Sequence, residues 1–137
     1  MGRILAIDYG IKRTGIAVTD PLRIIATALD TVPSETLLKF LETYLQKEMV
    51  DEFVVGMPKT LKNEDSEIAP LVRNFVEVLK KTFPDKTVHL ADERFTSSIA
   101  QRAMIDGGMK KKDRQVKGNI DKISATLILQ SFMESRR

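Results

Sequence analysis

Apolar residues fall along this chain in short runs broken by polar turns, and their spacing separates strands from helices. ILAI (4–7) and GIAV (15–18) are nearly unbroken apolar stretches too short for a helix, so Arg3–Asp8 and Thr14–Thr19 read as two buried strands joined through Gly10. Asp20-Pro21 marks a turn, and Ile24–Val32 reads as a third strand. From Ser34, a good N-cap, the residues Leu37, Leu38, Leu41, Tyr44 and Leu45 keep helical spacing to about Met49. EFVVG (52–56) is a fourth strand. A helix from about Ser66 to Phe83 follows, with Ile68, Leu71, Val72, Phe75, Val76 and Leu79 on one stripe and Pro70 tolerated in the first turn.

Thr87–Ala91 is a fifth strand. Ser97–Asp106 reads as a helix stopped by Gly107-Gly108, Lys110–Gly118 as a basic loop, and a last helix capped by Asn119 or Asp121 runs to about Met133. The order β-β-β-α-β-α-β-α-α predicts an α/β fold with a mixed five-stranded sheet flanked by helices. No repeat or linker divides the chain, so residues 1–137 are expected to form a single domain.

Composition narrows the chemistry. The chain has no cysteine and one histidine, His89, which excludes disulfides, thiolate nucleophiles and multi-histidine metal sites. His89 itself reads as a satisfied strand histidine. Any metal must rest on carboxylates and carbonyls, which favours Mg²⁺ or Mn²⁺. The apolar run after Met1 stops at Asp8, too short for a secretory signal, and no run approaches the ~20 residues of a membrane span. The expectation is a cytoplasmic protein without a membrane partner. Charge is uneven: residues 1–93 hold 12 Lys and Arg against 15 Asp and Glu, and residues 94–137 hold 10 against 4. That basic segment is either a solvated tail or a surface for phosphate.

Three carboxylates fall where a site could form. Asp8 ends the first strand, Asp92-Glu93 ends the fifth, and Asp121 opens the last helix. Ligands of open α/β sheets bind beyond the carboxyl ends of strands. Alternation puts Asp8 on the face of Ile4 and Ala6, and Glu93, rather than Asp92, on the face of His89 and Ala91. Ser124 and Ala125, three and four residues after Asp121, are small enough to let the helix approach the sheet. Clustered carboxylates repel unless a cation sits among them. Singly each has a plainer account: turn chemistry for Asp8, helix capping for Asp121, and an ion pair with Arg94 for Glu93.

Taken together, DYGIKRTGIAVTD (8–20), VVGMP (54–58), DERFTS (92–97) and IDKISATLILQ (120–130) closely resemble the successive motifs of the YqgF/RuvX family. The resemblance covers the whole chain in order, and DxGxxRxGxAxxD followed by DERxT is specific. It implies a ribonuclease H-like fold. The activities proposed for that family are pre-16S rRNA nuclease and, in older usage, Holliday junction resolvase. It further implies Asp8, Glu93 and Asp121 as catalytic metal ligands, with Arg13, Arg94 and Thr96 beside them. Arginine's fork suits phosphate, although either arginine could equally pair with a carboxylate to hold a loop. Lys110, Lys111, Lys112, Arg114 and Lys117 are expected to hold the nucleic-acid backbone.

Two departures stand out. The loop after Pro58 reads KTLKNED where the family favours LNMDG, and Ser124 replaces an alanine of the last helix. The leading expectation is a Mg²⁺- or Mn²⁺-dependent nuclease maturing the 5′ end of pre-16S rRNA in ribosome biogenesis. Cleavage of branched DNA, which needs a homodimer to cut two strands symmetrically, is the alternative. A non-catalytic nucleic-acid-binding module is a third. A sugar-kinase lobe, suggested by D-x-G before a hairpin, is disfavoured because 137 residues cannot hold two such lobes.

Overall fold

A computed structural model describes residues 2–57, 68–92 and 117–135, without the side chains of 92 and 117–122. Five strands, Arg3–Asp8 (β1), Arg13–Thr19 (β2), Ala26–Pro33 (β3), Val50–Met57 (β4) and Thr87–Asp92 (β5), form one sheet in the order β3-β2-β1-β4-β5. β1 pairs antiparallel with β2, and β2 with β3, whereas β1, β4 and β5 are parallel. The expected mixed sheet is therefore present. The central strands are buried on both faces, which is why RILAID and EFVVG lack a polar-apolar alternation.

Helices Leu37–Lys47 (α1) and Ala69–Thr82 (α2) cover one face. Leu37 and Leu41 of α1 and Val72, Phe75, Val76 and Leu79 of α2 close over Leu5, Ile7, Ile16, Phe53 and Val55. The anticipated stripe of α2 is right except at Leu71, which is exposed. Ala69 takes the inward position instead, at the 69, 72, 76, 79 spacing. Lys117–Ser135 (α3) covers the opposite face, resting mainly on β2, β3 and β1. Its Ala125, Ile128 and Leu129 meet Ile4, Ala6, Ala17 and Val54, so alanines face each other across the contact as the sequence suggested, beside larger aliphatic side chains.

β2 and β4 begin one and two residues before the expected Thr14 and Glu52, and two other starts differ for reasons the bonding shows. β3 begins at Ala26 rather than Ile24, because the Asp20 carboxylate takes the N–H groups of Ile24 (2.7 Å) and Ile25 (2.8 Å) and keeps that stretch in the turn. Arg23, at φ 59°, lies in the left-handed region within this turn. Its guanidinium secures it there, bonding the Gly2 carbonyl (2.8 Å), Glu52 (2.9 Å) and Asp51 (2.9 Å). Ser34 is not a helix cap either. A single 3-10 turn over Ser34–Thr36 precedes α1, whose N-cap Thr36 makes no side-chain capping bond.

Candidate active site at the carboxyl end of β1

Strand alternation puts Asp8 on the α3 face of β1, one step past Ala6. It is half-buried. Its antiparallel neighbour is Gly15, which pairs in turn with Thr31 of β3, and on its other side the parallel register reaches Ile7 and Val55, one residue before Gly56, whose partner on β5 is Ala91. A half-buried carboxylate at this strand end suits a small hard cation whose remaining ligands come from another element.

The loop that leaves Asp8 is pinned. The Tyr9 ring stacks on Phe75 of α2, with centroids 4.8 Å apart. Ser34 donates its hydroxyl to the Gly10 carbonyl (2.5 Å) and its N–H to the Lys12 carbonyl (3.0 Å), and its Oγ lies 2.8 Å from the hydroxyl of buried Thr14. A Cβ at Gly10 would collide with the Arg13 carbonyl oxygen, so only glycine fits. Sequence reasoning missed Ser34 and Thr14. A serine between a strand and a helix reads as a cap, and nothing in the sequence marks a partner 24 residues back. Arg13 opens β2 opposite Pro33, exposed beside this loop.

On β5, the His89 ring lies 4.8 Å from Phe132 of α3, and Ala91 packs on the cluster under that helix. His89 and Ala91 therefore share the α3 face, as parity required. Glu93, the next residue of that parity, lies outside the described residues. His89 Nε2 also sits 2.8 Å from Glu52 Oε1, in keeping with a satisfied histidine.

In α3, Ser124 and Ala125 are buried, with Ser124 only 3% exposed. Asp121 precedes them by three and four residues in the same helix. The helix starts at Lys117, so neither Asn119 nor Asp121 is its cap, and Lys117 opens the helix instead of ending a loop. Capping, the plainer account of Asp121, no longer applies. The Asp121 side chain lies outside the described residues. So do Arg94, Thr96, Lys110, Lys111, Lys112, Arg114 and the helix expected over 97–106. Among the described residues, no three His, Cys, Asp or Glu side chains gather as a metal site.

The comparisons with known proteins agree over the whole length. A relative from Phocaeicola vulgatus, named for a proposed pre-16S rRNA nuclease activity, is 56% identical over 137 residues, covering 100% of this chain and 99% of its own. One from Amoebophilus asiaticus, named likewise, is 52% identical over 135 residues, covering 98% of this chain and 96% of its own. Among solved structures, Thermus thermophilus RuvC in complex with Holliday junction substrate superposes with a TM-score of 0.59 at 16% identity, over 98% of each chain. A second structure of Thermus thermophilus RuvC gives 0.55 at 13%, over 96% of each. At those identities the likeness is one of fold, and the fold is ribonuclease H-like. The family model for RuvX, described as Holliday junction resolvase, matches residues 2–135, and with relatives more than half identical end to end, this chain belongs to the RuvX family.

Proposed function

We propose that the protein is a metal-dependent nuclease of structured nucleic acid, a single cytoplasmic domain that matures the 5′ end of pre-16S rRNA. The observation that carries this reading is Asp8: a half-buried carboxylate at the end of the central strand, opposite Gly15, on the face that α3 covers. Asp8, Glu93 and Asp121 would hold Mg²⁺ or Mn²⁺. The donor set fits, because the chain offers these ions carboxylates and lacks the thiolates and multiple imidazoles that would favour softer metals. When bound, the metal supplies an activated water and stabilises the leaving oxygen of a phosphodiester.

The chain's own residues do the rest. Asp8 presents its carboxylate from a pinned strand end. Arg13, Arg94 and Thr96 bind the phosphate to be cut, and Lys110, Lys111, Lys112, Arg114 and Lys117 hold the flanking backbone through charge rather than base reading. The relatives' names favour ribosomal RNA precursor as substrate. Cleavage of four-way DNA junctions by a homodimer is the second reading, favoured by the description of the matching family.

The test is cleavage of a labelled pre-16S 5′-leader RNA, a four-way DNA junction and plain duplex DNA with Mg²⁺, Mn²⁺ or EDTA. EDTA-sensitive cutting of the leader supports the proposal, and cutting of the junction alone moves it to the second reading. Salt-sensitive binding with no cutting under either metal would leave a binding module.

A further inference from the structure

The loop between β1 and β2 holds one large aliphatic residue that its surroundings leave outside. Ile11 is 70% exposed, although a chain of this kind gains by covering a large aliphatic side chain. It cannot retract, because both neighbours are held through their backbones. The Gly10 carbonyl accepts from the Ser34 hydroxyl (2.5 Å) and the Lys12 carbonyl from the Ser34 N–H (3.0 Å). One residue before Gly10, the Tyr9 ring is stacked on Phe75. The side chain is itself β-branched and stiff at χ1.

Position and charge say what such a residue could meet. Ile11 follows Asp8 by three residues, so their Cα atoms stand no more than about 11 Å apart. Lys12 and Arg13, the next two residues, are both exposed. A rigid apolar point beside two cations is poorly suited to a protein partner, which needs a far broader apolar patch. The other cluster of exposed aliphatics, Leu22, Ile24 and Ile25, lies in the β2–β3 turn at the opposite end of the sheet. The pairing suits nucleic acid, with cations for phosphates and an aliphatic wedge for a base step.

We infer that Ile11 is a substrate wedge, inserting at a boundary between paired and unpaired nucleotides and so setting which position of a structured nucleic acid lies over Asp8. Opening a continuous stack costs a few kcal/mol per step, and least where the stack already ends. A pre-ordered wedge therefore selects boundaries over plain duplex. Because the loop is already pinned, binding orders nothing further. This rests on the nuclease reading only for what happens after docking.

The probe is a hairpin with a single-stranded tail, made in RNA and in DNA, carrying 2-aminopurine at the boundary. It is titrated in EDTA, where metal-dependent cleavage is off. The wild-type protein should raise the fluorescence and prefer the tailed hairpin to a continuous duplex. Ile11→Ala should lose the rise and about tenfold in affinity for the tailed probe, or about 1.4 kcal/mol. Ile11→Met, which keeps the bulk, should retain most of both. Circular dichroism melts check that all three fold alike. Equal fluorescence and affinity for wild type and Ile11→Ala, or no rise with wild type, would overturn the wedge. Cleavage with Mg²⁺ in parallel tests the nuclease reading separately, so either can fail alone.

Discussion

Replacing Ser34 with alanine should cost more than an exposed serine ordinarily would. The hydroxyl makes two bonds, to the Gly10 carbonyl at 2.5 Å and to Thr14 Oγ1 at 2.8 Å. Each is worth about 0.5–1.5 kcal/mol net, and stranding the hydroxyl of Thr14, fully buried at 0% exposure, adds a desolvation penalty, so the loss should be about 2–3 kcal/mol. For a chain of 137 residues that lowers Tm by roughly 10 °C. Urea and thermal unfolding read it directly. In a double-mutant cycle, Thr14→Val should recover about 1 kcal/mol in the Ser34→Ala background, because no buried hydroxyl is then left without a partner. Ser34→Asp separates a pin from a cap: a capping role would be preserved by aspartate, whereas a carboxylate facing the Gly10 carbonyl is repelled. A loss below about 0.5 kcal/mol for Ser34→Ala, or wild-type stability for Ser34→Asp, would refute the reasoning.

Two further outcomes follow from the same structure. Ala125→Leu should overpack α3 against Ala6 and Ala17, costing about 1–3 kcal/mol and lowering kcat by lifting the helix that carries Asp121; Leu79→Ala, on the opposite face, should cost about 2–5 kcal/mol yet leave the kcat of folded protein unchanged. The N–H of Ile25 chiefly holds the Asp20 carboxyl below its ordinary 3.8, against an opposing effect of burial and with further help from the N–H of Ile24. A depressed carboxyl adds stability that is present above pH 3.8 and lost as pH falls through the folded-state value, so Asp20→Asn should flatten the acid limb of a urea-unfolding series.

Much of the fold was legible because its signals are local. β1 and β4 announce themselves as apolar runs because both faces of the sheet are covered, and α1 and α2 because each buries one stripe. The small residues under α3 were readable as well, since Ala6, Ala91 and Ala125 stand at fixed parities from the carboxylates. Readings that depended on a distant partner went astray. Ser34 resembles a cap until its bonds to Gly10 and Lys12 are seen, and β3 starts late because the Asp20 carboxylate takes two N–H groups from the ladder. Asp121 looked like a cap because aspartate favours helix starts, but α3 begins a turn earlier, at Lys117. The glycine beside Asp8 was hidden for a similar reason. Gly15 looks like a turn glycine until the register sets it opposite the aspartate.

The most direct test of the account is whether the three carboxylates together hold a metal. Titrating Mn²⁺ into the protein and following the free-ion signal by electron paramagnetic resonance measures this without substrate. The wild-type protein should bind Mn²⁺, and Asp8→Asn, Glu93→Gln and Asp121→Asn should each weaken it at least about tenfold, with unfolding midpoints showing each variant folded. If all three variants bind Mn²⁺ as the wild type does, or the wild type binds none, Asp8 is a turn residue and the metal centre is not there.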